Sequence, residues 1–197
     1  MTSKLTQLTE QLATSGIELR SKQSIKWLLD KISDIRNPIA VARDIKGEKY
    51  RETRNIKLGN LYCFYYDPLG KDDLPYYDKF PLVLVLQKEA DGFLGLNLHY
   101  LPIKVRALFM DKLMRFAIMK DDDIVKLRVT YDILSASKRL REFRPCIKRY
   151  LTSHIKSKIL AIEPHEFEVA SFLPLQQFKG AKPTEVWEES IEKIRNS

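Results

Sequence analysis

Three apolar, strand-like runs stand in the middle of the chain, at 60–66, 80–87 and 93–101. Between them lie Asp67-Pro68-Leu69-Gly70, with the polar loop that follows, and Ala90-Asp91-Gly92. Connections of this length close antiparallel pairs, because a parallel crossover needs a dozen or more residues. The pattern therefore predicts an antiparallel meander. Its second run, FPLVLVL from Phe80 to Leu86, does not alternate, as expected of a strand buried on both faces, so 80–87 is placed centrally.

On the N-terminal side the period changes to that of a helix. Leu5, Leu8 and Leu12 share a face within 2–20, and Ser21 can cap a stronger helix over 21–35 that gathers Ile25, Leu28, Leu29, Ile32 and Ile35. Asn37-Pro38 ends it, since the residue before proline is pushed out of the α region. The polar, mixed-charge stretch 44–57 reads as an exposed connection into the first strand. After the meander, Pro102 suits a first helical turn, and Ile103, Leu108, Phe109, Leu113 and Phe116 recur on one face to about Met119. Asp121-Asp122-Asp123 breaks that pattern and can open another helix. Residues 124–137 carry both periods, with helix preferred. Pro145 reads as a further helix start, with Ile147, Tyr150, Leu151 and His154 or Ile155 inward and Lys148, Arg149, Thr152 and Lys156 outward. A short returning strand is predicted at 158–162, a short element from Pro164 to near Pro174, and a last helix over 183–194 with Val186, Trp187, Ile191 and Ile194 as its apolar side.

These elements predict an α+β fold: a small twisted antiparallel β-sheet, SH3- or OB-like, wrapped by N- and C-terminal helices. The expected organisation is an N-terminal helical arm and linker (1–57), a core domain (58–180) and a C-terminal helix (181–197). Hydrophobic residues make up 44% and charged residues 30%, an ordinary globular balance that allows a real core. No run approaches the roughly 18 apolar residues of a membrane span. The polar N-terminus lacks the apolar region of a signal peptide, so Cys63 and Cys146 read as reduced, buried thiols of a protein made in a reducing cytoplasm.

Most catalytic chemistry finds no pattern here. His99, His154 and His165 are too scattered for zinc-type spacing, and His99, inside an apolar run, reads as a hydrogen-bonded core or rim histidine. There is no GxSxG elbow and no glycine-rich phosphate loop. Asp67, Asp72, Asp73 and Asp78 suggest a two-metal site, but they sit in turn-rich sequence where aspartate caps the local backbone, and turn chemistry is the preferred reading. The expectation is a protein that is not an enzyme and uses no cofactor or metal.

Charge is the informative departure. The net +8 is uneven: +2 over 1–99, +9 over 100–160 and −3 over 161–197. Such a segment suits a polyanion, an acidic protein surface, or contact between copies of the chain. Within it, SKRLREFRPCIKRYLTSHIKSK (137–158) holds eight Lys or Arg, one Glu and the interleaved aromatics Phe143 and Tyr150. Lys138, Arg139, Arg141, Arg144, Lys148 and Arg149 are the candidate residues for nucleic acid or an acidic partner. In Leu74-Pro75-Tyr76-Tyr77-Asp78, Tyr76 and Tyr77 either lid one end of the β core or offer rings to a base or partner. Trp187 is the candidate anchor of the last helix on its own core or on a neighbour.

Three blocks, YCFYYDPLGKDDLPYYDKFPLVLVL, GFLGLNLHYLPIKVRALFMDKL and FRPCIKRYLTSHIKSKILAIEPHEFEVASFLPLQQF, resemble a small protein family of large contractile-tailed, T-even-like bacteriophages. They cover roughly two-fifths of the chain. The resemblance implies a virion component and supplies no site residues. The expected role is a structural subunit of the tail, baseplate or neck, made in the host cytoplasm and carried in the virion, with other phage structural subunits, and copies of itself, as partners. The alternative is a phage DNA-binding protein that contacts DNA weakly and without sequence preference through 138–158.

Overall fold

The computed structural model describes residues 2–108, 110 and 141–196. Its strands are β1 (Glu52–Thr53), β2 (Leu61–Cys63), β3 (Tyr77–Asp78), β4 (Leu82–Lys88), β5 (Gly92–Asn97), β6 (Ile147–Leu151), β7 (Ile159–Ile162) and β8 (Phe178–Lys179). Six of them form one antiparallel sheet in the order β1-β7-β2-β4-β5-β6, while β3 and β8 form a separate two-stranded ribbon. The fold is α+β. The predicted meander is β2-β4-β5, and β4 lies inside the sheet, as its unbroken apolar run requires.

Alternation along the strands divides the buried residues between two clusters. Leu61, Cys63, Leu82, Leu84, Leu96, Leu160 and Ile162 pack with residues of α1 (Lys4–Thr14), α2 (Lys22–Ser33), α3 (Pro38–Gly47) and the short helix Phe167–Phe172. Tyr62, Phe64, Tyr66, Val83, Val85, Phe93, Tyr150 and Ile159 form the second, largely aromatic cluster. Tyr150 stacks on Phe93 at 5.4 Å and meets Phe64 edge-on at 5.4 Å. Gly95 makes room for Val83 on the neighbouring strand: a Cβ there would stand 2.2 Å from Cγ1 of Val83.

The helices follow their caps. Ser3 and Ser21 accept the N–H groups of Thr6 and Ser24, the second as predicted. Helix continues from 103 to 108 behind Pro102. Its predicted extension through Phe109, Leu113 and Phe116, the Asp121–Asp123 start and the 124–137 element lie outside the described residues. The C-terminal helix spans Pro183–Arg195. Among the described residues, no helix is long and apolar enough to cross a membrane.

Two expectations are corrected. The 44–57 stretch is not an exposed connection. The preceding helix ends at Ser33, and Pro38 opens α3, whose Val41, Ala42 and Ile45 are buried. The chain then buries Arg51 at 2% exposure, paired to Glu48 at 2.5 Å and to both carboxylate oxygens of Glu166 at 2.5 and 2.6 Å. Glu48 also accepts the N–H and hydroxyl of Ser3, each at 2.8 Å. Burial pushes the Glu48 carboxyl upward, but these donors outweigh it and hold it below its ordinary value. The second correction concerns Pro145. It does not start a helix of the α type; it lies within a 3-10 segment, Arg141–Cys146, that runs into β6. Ile147 and Tyr150 suit a strand as well as a helix, and pairing with β5 decides between them.

Candidate nucleic-acid interface

β6 ends the sheet, and its register sets the site. Lys148 lies opposite Gly95, and Tyr150 opposite Phe93. Asn97 ends β5 and caps a 3-10 turn, Leu98–Tyr100, that brings Tyr100 beneath Lys148. The Lys148 ammonium stands 4.2 Å from the centre of the Tyr100 ring. Across from β6, the loop after Tyr66 returns through β3, which β8 holds in register Tyr77 to Lys179. Gly180, at φ +92°, is needed there, because a Cβ would stand 2.4 Å from the carbonyl oxygen of Pro75. Between the loop and β6 lies a pocket of about 380 Å³ whose walls include Tyr66, Tyr76, Tyr77, Tyr100, Tyr150 and Lys148.

Beside the pocket lies a buried polar knot. Asp78 Oδ1 accepts the N–H groups of Phe80 (3.1 Å) and Gln177 (3.0 Å), while Oδ2 lies 2.6 Å from Nδ1 of His99 and 3.3 Å from Nδ2 of Asn97. Burial raises the Asp78 carboxyl, and its donors, His99 first, more than reverse that, so it is held below the ordinary carboxylate range. Burial also lowers the His99 imidazole. Asp78, facing Nδ1, selects the Nδ1–H tautomer of the neutral ring. Arg106, fully buried, donates to the carbonyls of Leu101 (2.7 Å) and His99 (3.3 Å), and burial lowers its guanidinium to about 9.

A second, more open cleft of about 590 Å³ adjoins the first and is lined by Arg144, Pro145, Lys148, Glu189, Glu192, Lys193 and Asn196. Lys148 belongs to both. Burial lowers its ammonium, Glu189 attracts it from beyond ion-pair distance, and it forms no salt bridge among the described residues. A half-buried cation without a carboxylate at ion-pair distance is a place for an anion.

Of the candidate residues, the structure brings together Arg144, Lys148, Tyr76 and Tyr77. Tyr76 packs between Tyr100 (6.0 Å) and Phe178 (6.2 Å), a lid on the core, whereas Tyr77 lines the pocket. Arg149 also borders the pocket, but its guanidinium is taken by Glu89 at 2.5 Å and Asp91 at 2.6 Å at the end of the β4–β5 hairpin. Trp187 is engaged within the chain: its Nε1 donates to the His99 carbonyl at 2.8 Å, and Arg106 stands over its ring at 5.5 Å. Lys138, Arg139 and the side chain of Arg141 lie outside the described residues. Tyr66 and Tyr100 carry no sequence signal as site residues, and Tyr150 stands out only as an aromatic interleaved in the basic segment. The alternation of Tyr150 with Lys148 is the signal that a strand reading of 147–151 would have exposed.

The family profile described as phage T4 terminal DNA protecting protein matches residues 3–190, nearly the whole chain. The chain belongs to this family. No curated protein and no solved structure matches it significantly. The T-even phage resemblance is thus shown, and it extends well beyond the three blocks that carry it. The description of the terminal DNA protecting family names DNA ends, which favours the DNA-binding alternative over a subunit of tail, baseplate or neck.

Proposed function

We propose that the protein binds the ends of phage DNA without sequence preference and shields them by occupying them. The match of 3–190 to a terminal DNA protecting family carries this reading. The site supports it chemically: Arg144 before β6, Lys148 on it, and Lys156 and Lys158 after it offer cations, and phosphate contacts of this kind position a protein on DNA without reading bases. Protection by occupancy requires one bound molecule or assembly per end and no chemical step. A protein held on genome ends would enter the virion with them.

The test compares a linear duplex with a covalently closed circle of the same sequence. The protein should bind the linear form in preference, in proportion to the number of ends, and should slow its digestion by a processive exonuclease. Equal affinity for circle and linear DNA, or an unchanged digestion rate at saturating protein, overturns the reading.

A further inference from the structure

We propose that the tyrosine-lined pocket beside β6 holds the base of one unpaired nucleotide at a DNA end, with Lys148 on its phosphate. This rests on the DNA-end reading above and adds to it a ligand, a polarity of contacts and a site.

The aromatic walls come first. Tyr66, Tyr76, Tyr77, Tyr100 and Tyr150 converge on a space of about 380 Å³, at the small end of the range for ligand pockets and suited to one flat ring system rather than a base pair. Four of these rings are engaged with other aromatic rings of the core. Tyr77 is not: it is half-buried, lines the pocket and has no ring partner among the described residues. It is a stacking surface left open on the pocket side. Stacking on tyrosine accepts every base, which agrees with a role at ends of any sequence.

The cation comes second. Lys148 is shared by the tyrosine pocket and the neighbouring cleft; Glu189, itself bridged to Lys193, attracts it from beyond ion-pair distance, and no carboxylate among the described residues forms a salt bridge with it. A nucleotide whose base enters the first pocket presents its phosphate at the junction of the two. The strand then continues past Arg144, which is exposed in the second cleft. A base still paired in a duplex cannot enter such a pocket without being extruded, so the occupant is a frayed or overhanging terminal nucleotide.

Fluorescence anisotropy with the full chain and one duplex in five forms tests this: blunt, with a two-nucleotide 3′ overhang, with a two-nucleotide 5′ overhang, and with each of these overhangs made abasic. At least one overhang polarity should bind roughly tenfold or more tighter than the blunt form, and the abasic overhang should lose that gain. Tyr77→Leu should bring the overhang-to-blunt ratio close to one, while Tyr77→Trp should preserve it. With 2-aminopurine as the overhanging base, the unmodified protein should change its fluorescence on binding, which keeps the proposal testable even if the Leu variant is poorly folded. Equal binding of blunt, abasic and intact overhangs overturns the pocket while leaving the DNA-end reading in place. So does an unchanged 2-aminopurine signal. Absence of binding to any linear duplex at physiological salt overturns both.

Discussion

Asp78 Oδ2 lies 2.6 Å from Nδ1 of His99, and both residues are sealed inside the protein. The pair joins β3 to the turn after β5 at the base of the tyrosine pocket, so the stability of the site depends on it. In Asp78→Ala, the N–H groups of Phe80 and Gln177 and the His99 ring lose their shared acceptor. With each buried, unsatisfied group costing about 1–3 kcal/mol, a loss of at least about 3 kcal/mol is expected in urea denaturation. A loss under about 1 kcal/mol would mean that water reaches these groups.

The same pair sets the acid limit of stability. His99 and Asp78 are both held below their ordinary values. On acidification, the unfolded chain therefore takes up protons before the folded one does. Stability is complete above the ordinary histidine range, falls as pH drops below about 6.5 through His99, and falls again below about 3.9 as pH moves towards the folded-state value of Asp78. Denaturation midpoints measured from pH 8 to 4.5 should show the upper limb, and His99→Gln should flatten it.

Packing between β4 and β5 leaves no room at Gly95. Gly95→Ala sets a methyl 2.2 Å from Cγ1 of Val83 and should destabilise by about 1–3 kcal/mol. Val83→Ala alone should also destabilise, through the cavity it leaves. The double variant should cost less than the sum of the two, because the small residue at 83 relieves the clash. Strict additivity would show that the strands separate rather than collide.

Salt dependence should separate the cations of the basic segment. Each side chain that neutralises a phosphate contributes about −0.9 to the slope of log affinity against log salt. Arg144→Ala and Lys148→Ala should each flatten the slope by about that amount. Arg149→Ala should change it less, since Glu89 and Asp91 already hold its charge. Equal slopes for all three variants would show that DNA displaces both carboxylates from Arg149.

Much of the fold is written in local pattern. Ser21 announces its helix, and the unbroken run from Phe80 announces an interior strand, because capping and burial on two faces leave a mark within a few residues. The exceptions depend on partners far away in sequence. Ile147, Tyr150 and Leu151 satisfy either period, and only Gly92–Leu96 on the neighbouring strand makes them β6. Arg51 has the local setting of a surface residue, since one of its two carboxylates lies 115 positions away. The site shares this character. The basic residues and Tyr76-Tyr77 stand out by composition, but Tyr100 and Tyr66 enter the pocket only through sheet register and loop closure.

The buried ion cluster at Arg51 also bears on how the chain is made. Ser3, Glu48 and Arg51 leave the ribosome long before Glu166, which closes the cluster from 115 residues downstream. At ordinary elongation rates that interval is on the order of ten seconds. Through it, the first helices have neither their last counter-ion nor the sheet strands β6 and β7 that complete their supporting layer. A nascent chain of this protein therefore cannot close this layer over its first helices until β6, β7 and Glu166 have emerged.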